Sequence, residues 1–407
     1  MRGCPRTPTL RGCHLSTTPF TLRSRRPFNT QSHDRVEVQC GSAGSVTIDL
    51  LNIAKHPPCS PFFIHLPPFP QADGLPAPLP EFLRGKPVAS INYRWTSPVA
   101  PASVGGDSDV ASQWPMPIHD TCFAYSWLVQ NLAPEGQKRR DIYVYGSHIG
   151  GSLATSLSLT ETHPHKRFAV RGFISYNAIY NWTMFLPDHP INRPSKRAKN
   201  PAARPTPVEG THLHRLQELL PDLFRSPEDM FDPFVSPSTF FHNPGILIPE
   251  SYSISGEEAA ALEALVNPDS ALQEPKVPRK SHLMFPPRAS TLKIPESLLL
   301  YDSPTVAPSA KQGRRMVSTG RGNTMESQAL ELVELMRRSI EKVELKERSK
   351  WDDEVASWDD ETERRVQALE VGDEGETLEL NKVGEEAIQD WLADRIQDDR
   401  IDTGVIE

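Results

Sequence analysis

The segment Asp141-Ile-Tyr-Val-Tyr-Gly-Ser-His-Ile-Gly-Gly151 constrains the fold of this chain more than any other stretch. Residues 141–145 are short, β-branched and aromatic, and the run stops at Gly146, which is how a strand buried on both faces reads. Over residues 150–162 the pattern changes to Leu153, Leu157 and Thr160 at helical spacing. Strand must therefore turn sharply into helix. Such a turn needs small residues on either side of its vertex, and Gly146 and Gly150 flank position 148 symmetrically. The vertex residue is His148.

Around this segment, strand-like runs alternate with helical ones. The strand candidates are residues 46–53, 61–66, 88–95, 141–145, 168–176, 297–301 and 365–371. Periodicity predicts helices over 118–132, 150–162, 326–350 and 385–396, the first with Phe123, Trp127, Leu128 and Leu132 on one face. Asn323, with Glu326 three residues on, is the expected cap of the third. Alternation of this kind predicts an α/β fold, a mostly parallel central sheet flanked by helices. Residues 187–295 interrupt it with a Pro-rich stretch, including the basic run 193–204 and short helices near 212–220 and 257–266. In a sheet protein of this type, that insertion is expected to be a cap over the C-terminal edge of the strands.

Five further segments bear on family. Ala89-Ser-Ile-Asn-Tyr-Arg94 leads toward Pro117-Ile-His-Asp120 and Tyr125-Ser-Trp-Leu128, followed by Val170-Arg-Gly-Phe-Ile-Ser175 and Ser297-Leu-Leu-Leu-Tyr-Asp302. In this order, with the glycine-flanked turn between them, they resemble the hormone-sensitive-lipase-like branch of the α/β-hydrolases, in particular uncharacterised fungal members. The resemblance implies a G-x-S-x-G nucleophile elbow and a Ser, acid, His order along the chain. Here the elbow reads Gly146-Ser147-His148-Ile149-Gly150, so the glycines are present and the vertex serine is not.

The other parts that the resemblance implies are degenerate too. The loop that should supply oxyanion donors reads Leu66-Pro67-Pro68-Phe69-Pro70, and proline has no N–H to give. The acid is expected after the strand ending at Tyr301, where Asp302 is the fallback, earlier than the family position. The base should follow the last strand, yet the last histidine of the chain is His282. A serine hydroxyl without a base is a poor nucleophile, so no residue is assigned as catalytic. Ser147 and Ser152 remain fallback nucleophiles. Ser147 should point back toward the sheet, and a register with Ser152 at the turn leaves Gly146 unexplained.

Composition bounds the rest. The net charge of −8 is uneven: residues 1–33 carry six Arg and no acid, while residues 326–407 carry 26 Asp/Glu against 11 Lys/Arg. An acidic C-terminal segment argues against nucleic-acid binding, which rests on basic patches. Residues 1–33 read as a disordered, targeting-like segment, which predicts a mitochondrial location and otherwise a cytoplasmic one. Residues 34–407 are expected to be one hydrolase-like domain, with an acidic linker over 350–363 that holds Trp351 and Trp358. Five cysteines at 4, 13, 40, 59 and 122 do not form a disulfide framework. No apolar run reaches the ~18 residues of a membrane span. The H-x-H pairs His163/His165 and His212/His214 lack a third ligand and read as exposed loop residues, so no metal or cofactor is expected. Asn181-Trp182-Thr183 is a glycosylation sequon by pattern only. The expected function is that of a pseudo-hydrolase, a scaffold for a small apolar ligand or a protein partner. The alternative is an active carboxylesterase or lipase-like enzyme with an unusual site near the elbow.

Overall fold

The computed structural model describes residues 33–71, 76–96, 112–192, 207, 209–267, 276–304, 322–346, 360–375 and 377–402. The strands are β1 (His33–Gln39), β2 (Ser45–Leu51), β3 (Phe62–Leu66), β4 (Val88–Asn92), β5 (Arg140–Ser147) and β6 (Phe168–Tyr176). They continue with β7 (His242–Asn243), β8 (Ser281–His282), β9 (Glu296–Ser303) and β10 (Val366–Asp373). Eight of them form one sheet in the order β1-β2-β4-β3-β5-β6-β9-β10, and β7 pairs with β8 apart from it. Only β2 runs against its neighbours in the main sheet. The helices are α1 (Met116–Asn131), α2 (His148–Glu161), α3 (His212–Glu218), α4 (Leu220–Leu223), α5 (Gly256–Val266), α6 (Met325–Ser339), α7 (Glu361–Arg365) and α8 (Lys382–Asp402). Strand order, a single reversed strand and crossover helices are those of the α/β-hydrolase fold.

Residue alternation along β5 divides the core. Ile142 and Val144 face the cluster shared with α1, α2 and α6. Tyr143 and Tyr145 face the opposite cluster, with Phe63, Phe82 and the α8 residues Ile388, Trp391 and Leu392. A strand covered on both sides can be apolar at every position, which is why the central strands read as continuous runs.

Several boundaries differ from expectation for local reasons. β1 is an edge strand that exposes most of His-Asp-Arg-Val-Glu-Val-Gln, so it carries no apolar run to detect. It is held to β2 by His33 and Arg35, both on Asp49, at 3.0 and 2.5 Å. β5 runs on through Gly146 and Ser147, and α2 begins at His148 rather than at residue 150. α1 buries Ile118, Thr121, Ala124, Tyr125 and Leu128. Phe123, expected on the packed face, is 43% exposed, because the small residues Thr121 and Ala124 let that side of the helix approach the sheet. α6 is capped by Thr324, whose side chain accepts from the Ser327 N–H, instead of by Asn323 with Glu326. After Ser339 the helix passes into a π turn over Ile340–Leu345.

The insertion after β6 packs at the C-terminal ends of the strands. The Leu223 carbonyl accepts from the Trp95 indole at 3.1 Å and from the Trp114 backbone N–H at 3.0 Å. Of the segment 1–33, expected to be targeting-like and disordered, His33 begins β1 and residues 1–32 lie outside the described residues, as do the basic run 193–204 and Trp351 and Trp358 with most of the expected acidic linker. Among those described, no helix is long and apolar enough to cross a membrane.

Candidate functional site at the strand–helix elbow

The turn from β5 into α2 is as tight as its glycines imply. A Cβ on Gly146 would lie 2.8 Å from the Ala154 Cβ, and one on Gly150 would run into the Pro67 and Leu66 carbonyls. Between them His148 holds a left-handed φ of 51°. Histidine visits that region more readily than most residues that carry a side chain. The vertex position of His148 in the turn is therefore a feature of backbone geometry as well as of sequence spacing.

The His148 side chain is 0% exposed. Its ring meets Tyr176 edge-on at 5.9 Å between centroids, His212 at 5.2 Å and Phe69 at 6.2 Å. Neither Nδ1 nor Nε2 has a hydrogen-bond partner among the described residues. Burial first, and the neighbouring His212 second, push its pKa down to about 3, so the ring is neutral at physiological pH.

Neither fallback serine is presented at the vertex. Ser147 follows Tyr143 and Tyr145 in the alternation of β5 and so belongs to the face that α8 covers. Ser152 lies in the second turn of α2, 0% exposed, and its hydroxyl donates to the Ile179 carbonyl at 2.5 Å. That bond uses the only proton the hydroxyl has.

Asp302 sits near the end of β9 and is 3% exposed. Its Oδ2 accepts from the Tyr176 hydroxyl at 2.6 Å and from Asn177 Nδ2 at 2.9 Å. The Asn177 side chain also accepts from the Asp302 backbone N–H at 2.8 Å. Asn177, with a φ of 46°, therefore holds Asp302 by both its carboxylate and its backbone N–H. Asp302 Oδ1 has no partner among the described residues. Burial, followed by the bond to Asp302, raises the Tyr176 pKa, which keeps the phenol protonated and donating.

Two residues of this cluster were not picked out as functional by sequence. His212, expected in an exposed loop, is the first residue of α3 and is 7% exposed. Its backbone N–H donates to Glu374 Oε1 at 2.6 Å, while its Nδ1 lies 3.4 Å from the same oxygen without a hydrogen bond. Glu374 follows β10 directly, where the resemblance calls for a histidine. Inspecting that position for any ionisable residue would have found the glutamate. No local pattern marks His212, which reaches the vertex only through the fold.

The loop after β3 offers acceptors in place of donors. The Leu66 and Pro67 carbonyls face Gly150, and the Pro67 carbonyl accepts from the Tyr93 hydroxyl at 2.8 Å. The cluster thus consists of a neutral imidazole, a carboxylate held by neutral donors, and a second imidazole beside a glutamate. Each buried polar atom left without a partner costs about 1–3 kcal/mol, so the arrangement is expensive unless something meets it. Elsewhere, the His163 and His165 rings touch at 5.6 Å, but no group of three metal-ligating side chains occurs among the described residues. The sequon residue Asn181 is fully buried, with Nδ2 on Glu331 at 2.7 Å.

No protein-family model matches this chain, and no curated protein does so either. Among solved structures, the chain is similar to a carboxyl esterase from the mycorrhizal fungus Tuber melanosporum. Identity is 12%, the match covers 90% of this chain and 86% of that one, and the TM-score is 0.43. The hyperthermophilic esterase of the archaeon Pyrobaculum calidifontis matches at 13% identity, with coverages of 89% and 82% and a TM-score of 0.46. A hormone-sensitive lipase from a metagenome library matches at 12% identity, with coverages of 92% and 88% and a TM-score of 0.42.

Proposed function

We propose that this chain is a non-catalytic α/β-hydrolase-fold protein that serves as a scaffold for binding a ligand or a protein partner. The observation that supports this most is the elbow vertex, where a buried neutral imidazole stands in place of a hydroxyl nucleophile. Of the fallback serines, Ser147 lies on the far face of β5 and Ser152 is engaged on the Ile179 carbonyl. Acyl transfer by a serine requires that the hydroxyl, a base and oxyanion donors converge on one carbonyl. Here Leu66 and Pro67 turn carbonyl oxygens toward the elbow helix.

The test is labelling of the full chain with a fluorophosphonate probe, together with turnover of p-nitrophenyl acetate, beside an active serine esterase. The expected outcome is labelling no stronger than that of a heat-denatured sample, and no turnover above buffer. Heat-sensitive labelling that maps to Ser147 or Ser152 would reverse the reading.

A second reading, a hydrolase with an unusual site, is favoured by one feature. His212 comes within 5.2 Å of His148, ring to ring, with Glu374 behind it, so an imidazole is supplied from the insertion and a carboxylate from the end of β10. It predicts ester turnover that disappears in His212→Phe.

A further inference from the structure

The elbow cluster holds four buried polar atoms with no partner among the described residues: His148 Nδ1 and Nε2, His212 Nδ1 and Asp302 Oδ1. They belong to one neighbourhood. Tyr176 packs its ring against His148 and gives its hydroxyl to Asp302, and His212 lies on the other side of His148. We infer that this cluster is a recognition site for a small uncharged polyol, a molecule with neighbouring hydroxyl groups. This inference rests on the non-catalytic reading above and names the ligand chemistry for the same site.

The argument is one of matching donors to acceptors. A neutral imidazole always has one N–H and one lone pair, whichever tautomer it adopts, so His148 needs both an acceptor and a donor. Asp302 Oδ1 needs a donor. A hydroxyl group gives and accepts at once, and two adjacent hydroxyls can serve His148 and Asp302 together. An ammonium group has donors only and would leave the His148 N–H unmet. An anion would meet the carboxylates of Asp302 and Glu374, and Asp302 has no cationic partner among the described residues to offset the repulsion. An apolar ligand, the kind expected from sequence, would leave all four atoms unpaired.

The His212 backbone N–H on Glu374 ties the start of α3 to the residue after β10, and the His212 ring covers His148 from that side.

The experiment uses the full 407-residue chain with ring-¹⁵N histidine, the His148 and His212 signals being assigned from His148→Phe and His212→Phe. Glycerol is the polyol probe, with acetate, methylammonium and benzene as anionic, cationic and apolar probes. The expected result is a saturable shift of both ring signals with glycerol alone, and at least a tenfold weaker response in Asp302→Asn. A larger saturable shift with any of the other three probes overturns the inference. So does the absence of any response, which would mean a cluster closed to everything but water. Fluorophosphonate labelling of the same sample keeps the two readings apart. Labelling with a glycerol response sinks only the non-catalytic reading, whereas no labelling and no glycerol response sinks only the polyol site.

Discussion

Asp120, in the second turn of α1, and Asp302, near the end of β9, are both carboxylates removed from water, with exposures of 0% and 3%. Asp120 is saturated by one cation. Its Oδ1 takes Arg94 Nη2 at 2.6 Å, and its Oδ2 takes Arg94 Nε at 2.9 Å and the Arg94 backbone N–H at 2.8 Å. Asp49 on β2 is treated alike, shared by Arg35, His33 and Asn92. Asp302 instead has two neutral donors on one oxygen and none on the other. The difference teaches how this chain separates structure from site. Where the carboxylate only ties elements together, both oxygens are met and a cation is among the donors; at the C-terminal edge of the sheet, one oxygen is left over.

The largest effect should come from breaking the saturated pair. Asp120→Ala leaves Arg94, whose side chain is 30% exposed, without its carboxylate, and the expected loss in urea denaturation is about 2–3 kcal/mol. A loss below about 1 kcal/mol would put the pair in the class of surface ion pairs and dissolve the contrast.

At the site, Asp302→Asn keeps an oxygen for Tyr176 and exchanges a charged acceptor for a neutral one. The expected loss is about 1 kcal/mol in the same assay. A loss as large as that of Asp120→Ala would make Asp302 a structural anchor.

The smallest net change at neutral pH is expected for His148→Phe, within about 1 kcal/mol, because removing both unpaired nitrogens offsets the strain of a Phe held at a φ of 51°. Its signature is in the pH dependence. Folded His148 stays neutral down to about pH 3, surrounded by His212, Tyr176 and Phe69, whereas the unfolded chain takes up a proton near the ordinary value of 6.5. As pH falls from 6.5 toward 3 the unfolded state therefore binds one more proton, and stability falls by up to about 1.4 kcal/mol per pH unit. His148→Phe should remove one proton's share of that acid slope and leave those of His65 and His242, which burial also holds low. Urea midpoints at pH 7, 6, 5 and 4 measure it. An unchanged slope would mean that the folded imidazole titrates normally.

Much of the fold was legible because its signals are local. The runs of β3, β5, β6 and β9 are apolar where both faces are covered, and the helices between them show their period. β1 was not legible, since an edge strand with water on most of its side chains has no pattern beyond scattered valines. The packed face of α1 was misjudged for a related reason. Size alone favours Phe123 and Trp127 as core residues, whereas close approach to the sheet selects Thr121 and Ala124.

For the site, the chain's own sequence determined the elbow: two glycines at positions 146 and 150, a histidine between them, and prolines at 67 and 68 where N–H donors would be wanted. These are properties of backbone freedom and missing hydrogens, and they act within a few residues. Only the tertiary structure decided what surrounds the vertex. Tyr176 reaches Asp302 across 126 residues of sequence, and His212 reaches Glu374 across 162. The physical reason is the parallel sheet itself, which gathers the C-terminal ends of distant strands at one edge and sets the polar groups that leave them side by side.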